Sequence, residues 1–522
     1  MDLLLFVYSL LLDTSASWLR MFAALFLSIL ISIGVGIYAA VSRRAESFIL
    51  PIVDILQTLP ILAFFPFVIY VFVFLLPGYI GINAAVIFLI VTSMVWNIIF
   101  GVYESIKTLP VEFAELSGLY HLRFFEKMKR IFIPAAMPRV MEQSVLSWSI
   151  GLFYLVTSEI FSIGNANYAV KYGIGVALSK LAFSGNYSGY VLGLFIFIAF
   201  VVATRFLFFR PLEKHFTRYS KASESGGNTR KHFAMHLGFW KALHHLPRFK
   251  TLPHRNNRAV AYAKVEEVHA LRIKGLRRGA GALALLVAAL VAAYLVSRYP
   301  YLLGYEYSVI TALLASLARI WLTFALIVAV ALPMCVYLVF MSRHREGYLT
   351  FFQIVASIPA TILLPIIVIL FKGYPFHGEL VAISIFFLSG IWYIIFGVMA
   401  SSSNIPAEVM EVKRLLGVKG RKAWKSIYMG ALLPGFITGS ITAIAAEWNA
   451  SIVAEYFTTT GISGSSAVSS VGIGIGKLLD LSLGSGNIAL MLLALLNLTV
   501  MIILVNTFVW KRLYRKVSKV YK

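Results

Sequence analysis

Acidic residues are scarce in this chain. Only 22 Asp and Glu stand against 46 Lys and Arg in 522 residues, and charged residues of both signs make up 13%. With 60% hydrophobic residues and a mean hydropathy of +0.85, the composition lies outside the range of soluble domains and describes an integral membrane protein. Cysteine is nearly absent: Cys335 stands alone, which excludes a disulfide framework and a cysteine-based metal site and leaves it as a small apolar packing residue. The ten histidines show no metal-ligand spacing. No Gly-x-x-x-x-Gly-Lys-Ser/Thr phosphate loop occurs, so the chain is not expected to hydrolyse ATP. No catalytic residue, metal or cofactor is therefore assigned to it, and no signal-peptide cleavage pattern is seen.

What fills the chain is apolar runs of about 20 residues or more, the length a helix needs to cross a bilayer of ~30 Å. They lie at Trp18 to Val41, Pro51 to Leu76, Ala84 to Tyr103, Val140 to Ile160 and Tyr190 to Phe209. In the second half they lie at Ala280 to Ser297, Val309 to Met341, Leu349 to Phe371, Leu380 to Ala400, Pro434 to Phe457 and Ile488 to Trp510. The sum is eleven spans. Met1 to Leu12 is apolar but too short to span, and is expected to be interfacial or extracellular. The net charge of +24 is clustered between spans, as at Arg43-Arg44, Lys107 to Arg139, Arg210 to Arg278 and Lys413 to Lys425. An outside N-terminus puts every cluster on one side, which the positive-inside rule makes the cytoplasm. This distribution points to membrane topology, not to nucleic acid.

The chain also repeats itself. Trp96-Asn-Ile-Ile-Phe-Gly101-Val returns as Trp392-Tyr-Ile-Ile-Phe-Gly397-Val. At the same shift Pro110, Glu112, Glu115, Pro138 and Glu159 fall on Pro406, Glu408, Glu411, Pro434 and Glu455. Ser17-Trp-Leu-Arg20 matches Ser316-Leu-Ala-Arg319, and Ser184-Gly-Asn186 matches Ser485-Gly-Asn487, at slightly larger shifts. Both copies run in one direction, a parallel repeat about an axis along the membrane normal. The expected domains are a first unit at 1–209 with five spans, a basic cytoplasmic linker at 210–279, and a second unit at 280–522 with six. The counterpart of the extra leading span would lie before Met1.

Between two spans of each unit the chain forms a polar helical hairpin, and here a family resemblance enters. Glu115, with Ile131 and Pro134 at the matching distances, resembles the "EAA" cytoplasmic loop of ABC importer permeases, as do Glu411, Gly417 and Ile427 in the second copy. Leu56-Gln-Thr-Leu-Pro60 and the Ser-x-x-Arg sequences resemble the subgroup that imports nitrate, sulfonates and taurine. The resemblance implies an all-α membrane fold, two fused type I importer transmembrane units. It also implies two separate ABC ATPase subunits, an extracytoplasmic solute-binding protein and a plasma-membrane location with linker and C-terminus in the cytoplasm. The coupling-loop candidates are Glu112, Glu115, Leu116, Gly118, His121, Pro134 and Pro138, with Glu408, Glu411, Gly417 and Pro434. Three departures stand out: Leu116-Ser117 and Val412-Lys413 replace the Ala-Ala pair, His121 stands at the turn glycine with Gly118 able to take over the turn, and Gly430 replaces the second motif proline. Independently of family, two short amphipathic helices need a surface to pack on, and Leu116, Leu119, Leu122 and Phe125 offer an apolar stripe.

Charged groups inside spans mark a translocation path or a structural pair. The candidates are Glu159, Arg319, Glu447, Asn449 and Glu455. Matching depths predict an Arg319–Glu447 pair, with Gly151 in the place of Glu447 in the first half, so Arg20 is expected to find Asp13 or water. The reading that competes with an importer permease is an ion-coupled secondary transporter, which would favour inverted repeats and several buried acids. A channel ranks third, since no filter-like loop or charged ring occurs.

Overall fold

The computed structural model of the chain describes chiefly residues 3–57, 78–109, 119–164, 170–216, 289–340, 345–403, 428–461 and 464–510, with isolated residues between them. Each unit is a set of apolar helices in the same order. In the first they are α1 (Leu3–Val41), α2 (Arg43–Leu56), α3 (Tyr79–Lys107), α4 (Ile133–Gly164), α5 (Ile174–Phe183) and α6 (Tyr187–Ala203). In the second they are α7 (Glu306–Phe340), α8 (Arg345–Ala356), α9 (Leu364–Phe371), α10 (His377–Ser403), α11 (Met429–Ala454), α12 (Ile475–Gly484) and α13 (Ile488–Val505). Among the described residues seven helices are long and apolar enough to cross a membrane, each coinciding with one of the eleven expected spans. In lipid a helix satisfies its own backbone, so apolar length alone decides these elements.

Three expectations are corrected. Leu3 to Leu12 is not separate from the first span, whose helix runs unbroken from Leu3 to Val41 and, at about 58 Å, is long enough to carry these residues beyond the bilayer. The stretch Leu349 to Phe371 is not one continuous span. It breaks after α8, turns through a 3-10 segment (Ala360–Leu363) and resumes as α9, since Pro359 has no N–H and drives Ile358 out of the helical region. The third concerns the connection after α11, which holds a two-stranded antiparallel hairpin, β1 (Tyr456–Gly461) and β2 (Gly464–Ser470), with an irregular register between Phe457 and Thr458. Tyr456 to Gly461 is rich in Thr and aromatic residues, which favour strand over helix, so the span ends at Ala454 and not at Phe457.

The core is shared by both units. Trp18 Nε1 donates to Thr204 Oγ1 at 2.7 Å and stacks edge-on against Phe197 and Phe200. Across the units, Tyr190 Oη on α6 donates to the Ile362 carbonyl at 2.7 Å, and the hydroxyls of Ser149 on α4 and Ser357 lie 3.2 Å apart. The N-terminus of α6 is capped by Asn186, which accepts from Gly189 N–H at 2.9 Å; Asn487 caps α13 through Leu490 N–H at 3.0 Å. Gly185 and Gly486 precede these caps with φ of +76° and +69°, so the repeated Ser-Gly-Asn is a turn-and-cap device.

Candidate functional site

Arg20 and Arg319 sit on the middle turns of α1 and α7, and each meets a glutamate at the C-terminal end of an equivalent helix, α4 or α11. Arg20 Nη1 donates to Glu159 Oε1 at 2.7 Å, and Arg319 Nη1 donates to Glu455 Oε1 at 3.0 Å. Both glutamates are fully buried. The other carboxylate oxygen accepts the backbone N–H of Gly175 at 2.9 Å in one copy and of Gly476 at 2.8 Å in the other. One residue earlier, Ile174 N–H donates to Ser17 Oγ at 3.0 Å and Ile475 N–H to Ser316 Oγ at 2.9 Å. Each arginine also donates to a carbonyl just before the short helix, Tyr172 or Ile473. The same six-part node is thus built twice, and it ties the first turn of α5 or α12 to α1 or α7. The carboxyl lies so close to the chain that a Cβ on Gly173 would stand 2.6 Å from Glu159 Cδ, and one on Gly474 2.4 Å from Glu455 Oε2. Glycine is the residue that fits there.

The nodes differ in their second acid. In the first, Asp13 accepts from Gly173 N–H at 3.1 Å and Asn83 Oδ1 accepts from Arg20 Nε at 2.7 Å. In the second, Ala312 stands at the Asp13 position and Glu379 at the Asn83 position, where it takes two donors from Arg319. One arginine and two carboxylates are kept in each node, but the second carboxylate moves from the first helix to the third. A buried ion pair holds only when the remaining donors are matched, and here each guanidinium donates to three residues.

The expected Arg319–Glu447 pair is therefore not formed, and Arg20 pairs with Glu159 instead of Asp13 or water. Glu447 lies eight residues before Glu455, about 12 Å along α11 at 1.5 Å per residue, so it is not level with Arg319. It is fully buried, and among the described residues neither carboxylate oxygen has a hydrogen-bond partner. The depth count failed because it took the ends of the two spans as level: Arg319 lies 13 residues inside α7, yet the Glu455 it meets caps the C-terminus of α11. What Glu447 meets is Gly390 on α10, where a Cβ would lie 2.7 Å from its Oε1 and 2.8 Å from Ile327 Cδ1. The first half fills the same space with the sizes reversed: Met94 replaces Gly390, Gly151 replaces Glu447, and a Cβ on Gly151 would stand 2.2 Å from Met94 Cε. Asn449 is half-buried, its Nδ2 donating to the Ala445 carbonyl at 3.0 Å.

Of the hairpin candidates, Glu112, Glu115, Leu116, Gly118, Glu408 and Glu411 lie outside the described residues. The turn itself is seen in both copies. His121 takes φ +47° and Gly417, at the matching position, φ +60°. The first-copy turn therefore keeps its place at His121 despite the lost glycine, and histidine carries the strain of a left-handed conformation. Leu119, Tyr120, Phe124 and Phe125 around it are exposed, as is Leu415 at the position matching Leu119. Glu126 accepts from Arg123 N–H at 2.9 Å and starts the second leg. Pro134 has no N–H to continue the ladder, and the chain there runs as a π turn (Met128–Phe132) into α4. Pro138 and Pro434 lie inside α4 and α11.

Sequence reasoning missed Arg20, Ser17, Ser316, Asn83, Glu379 and the node glycines as members of a site. The signal was present, because Ser17, Arg20 and Glu159 recur together as Ser316, Arg319 and Glu455. Glu447 has no such twin.

Comparison with known proteins agrees with this doubled architecture. The nitrate import permease protein NrtB of Leptolyngbya laminosa is 27% identical over 158 residues, 30% of this chain and 51% of that protein. The chain thus spans about half the length of this curated relative. The family described as binding-protein-dependent transport system inner membrane component matches twice, over residues 32–223 and 322–518, one match in each unit. With most of its length matched by two consecutive copies of the family's domain, this chain belongs to the binding-protein-dependent transport system inner membrane components.

Proposed function

We propose that the chain is the complete permease of an ATP-driven ABC importer, two transmembrane units in one polypeptide that form the translocation path for a small solute. The observation that carries this reading is the pair of hairpin turns, at His121 and Gly417, with exposed leucines at equivalent positions, Leu119 and Leu415. A hairpin of that length has no core of its own, and exposed apolar side chains at a polar loop are a docking surface for another subunit. Two separate ATPase subunits supply that surface. On the positive-inside reading the hairpins, the linker at 210–279 and the C-terminus face the cytoplasm, and a solute-binding protein delivers from outside. The units at 1–209 and 280–522 rock against each other as the ATPases close. The relative named for nitrate import and the sequence resemblance both favour a small solute of the nitrate, sulfonate or taurine type. Asn449 and the inter-unit serines Ser149 and Ser357, all half-buried, are candidate polar groups for such a path, whereas Glu447 is fully buried and Arg20 and Arg319 are held by their own nodes.

The test is to express the chain with ATPase subunits from its own source and to replace Glu115 and Glu411 together by Lys. Membrane insertion should be retained, with loss of ATPase co-purification or of ATP-driven uptake. Unchanged assembly and uptake in the double variant would remove the coupling assignment.

A further inference from the structure

Glu447 is extra to both arginine nodes. The first node sets Arg20 with Asp13 and Glu159, the second Arg319 with Glu379 and Glu455, and neither cation reaches Glu447. A carboxylate in an apolar interior needs a donor or a cation. Among the described residues Glu447 has no donor, and two neighbours share its condition. Ser389 directly precedes the Gly390 that the carboxyl lies against, and Thr323 stands one turn before the Ile327 that closes the same space. The hydroxyl oxygens of both are buried and without a hydrogen-bond partner.

The levels of the three agree when counted from the second node. Ser316 and Glu455 accept adjacent N–H groups of α12, and Arg319 joins Glu379 to the same level. Inward from there, Thr323 lies seven residues along α7, Glu447 eight back along α11 and Ser389 ten along α10. At 1.5 Å per residue these are about 10, 12 and 15 Å.

The first unit closes each position in another way. Ala24 stands in the place of Thr323, Met94 of Gly390 and Gly151 of Glu447. Ser93 matches Ser389, but its hydroxyl donates to the Ile90 carbonyl at 2.7 Å. A Cβ on Gly151 would stand 2.2 Å from Met94 Cε, and one on Gly390 2.7 Å from Glu447 Oε1. The structure itself therefore makes both contacts, 94 with 151 and 390 with 447. A thioether fills the space in one unit; in the other, four unpartnered oxygens of Glu447, Thr323 and Ser389 surround it.

We infer that Glu447, Thr323 and Ser389 form a site for one monovalent metal cation of the sodium type, inside the second unit between α7, α10 and α11. Carboxylate and hydroxyl oxygens are hard ligands, suited to alkali and alkaline-earth ions. A single carboxylate is balanced by a single positive charge, which favours the monovalent ion. Gly390 leaves the room that a side chain would take from it. The ion joins three helices of the second unit where the first uses Met94, and the site does not depend on the coupling reading of the hairpins.

The experiment uses the whole chain in lipid nanodiscs at constant pH and ionic strength, with choline replacing sodium. Binding of radioactive sodium is measured, and thermal unfolding midpoints are read across the same series. The parent should bind sodium saturably, and its midpoint should rise with the logarithm of sodium concentration once the site fills. Glu447→Gln should lose both. Thr323→Val and Ser389→Ala keep the carboxylate and should each raise the sodium Kd about tenfold, as for one lost contact to a charged group. Ser93→Ala, at the matching place in the first unit, should leave it unchanged. Equal midpoints in sodium and choline without saturable binding would overturn the site and leave Glu447 as a buried carboxylic acid holding its own proton. Saturable binding that survives Glu447→Gln would overturn it by placing the ion elsewhere. Should Glu447→Gln fail to fold, an unchanged Kd in both hydroxyl variants would overturn it as well.

Discussion

Charge at the residue scale is governed by duplication. Arg20 with Glu159 and Arg319 with Glu455 are the same pair written twice, and Glu447 belongs to neither. Arg319→Gln should therefore destabilise the protein by about 3–5 kcal/mol, because it leaves Glu379 and Glu455 without their cation. Since Glu447 is not part of that node, Glu447→Gln and Arg319→Gln should be additive within about 0.5 kcal/mol, read from unfolding midpoints in detergent. Rescue of one by the other would restore the pair that sequence depth suggested. A second cycle tests the size exchange. Gly390→Met alone should overpack against Glu447 at a cost of about 1–3 kcal/mol. Combined with Glu447→Gly it rebuilds the Met94–Gly151 arrangement of the first half, and most of that loss should be recovered. The pair that was missed was legible all the same: a charge present at matching places in both copies has a partner that is also present in both.

At the scale of elements, the helices were legible because apolar length is their whole cause, and their ends were not. Tyr456 and Phe457 are aromatic, so a hydropathy count carried the span past Ala454 into β1. The break at Pro359 is likewise invisible to a hydropathy count and visible only to backbone chemistry. The turns at His121 and Gly417 were legible as part of an interruption of apolar sequence, whereas the support beside the first was not, since it depends on which residues of α2, α3 and α4 meet. That support makes a contrast that can be measured. Gly435→Ala puts a Cβ against the Gly397 carbonyl and should cost the yield of folded protein. Arg139→Ala, at the matching place, removes a half-exposed bridge to Glu104 and should cost under about 1 kcal/mol. Size-exclusion profiles and thermal unfolding of the two variants check it; equal effects would mean that the two helix pairs pack alike.

Over the whole molecule, duplication within one chain decides what assembles. Units that are separate subunits must find each other, and here α4 and α6 already touch the second unit at Ser357 and Ile362. The parallel repeat was readable from Trp96 and Trp392 outward, and the doubled nodes and family matches agree with it. On the proposed reading, a single chain that supplies both hairpins needs no second copy. Native mass spectrometry of the nanodisc complex, purified through a tag on the chain, reads this directly. The account predicts one copy of the chain with two ATPase subunits. A complex holding two copies of the chain for each ATPase pair, or one that retains no ATPase at all, would contradict it.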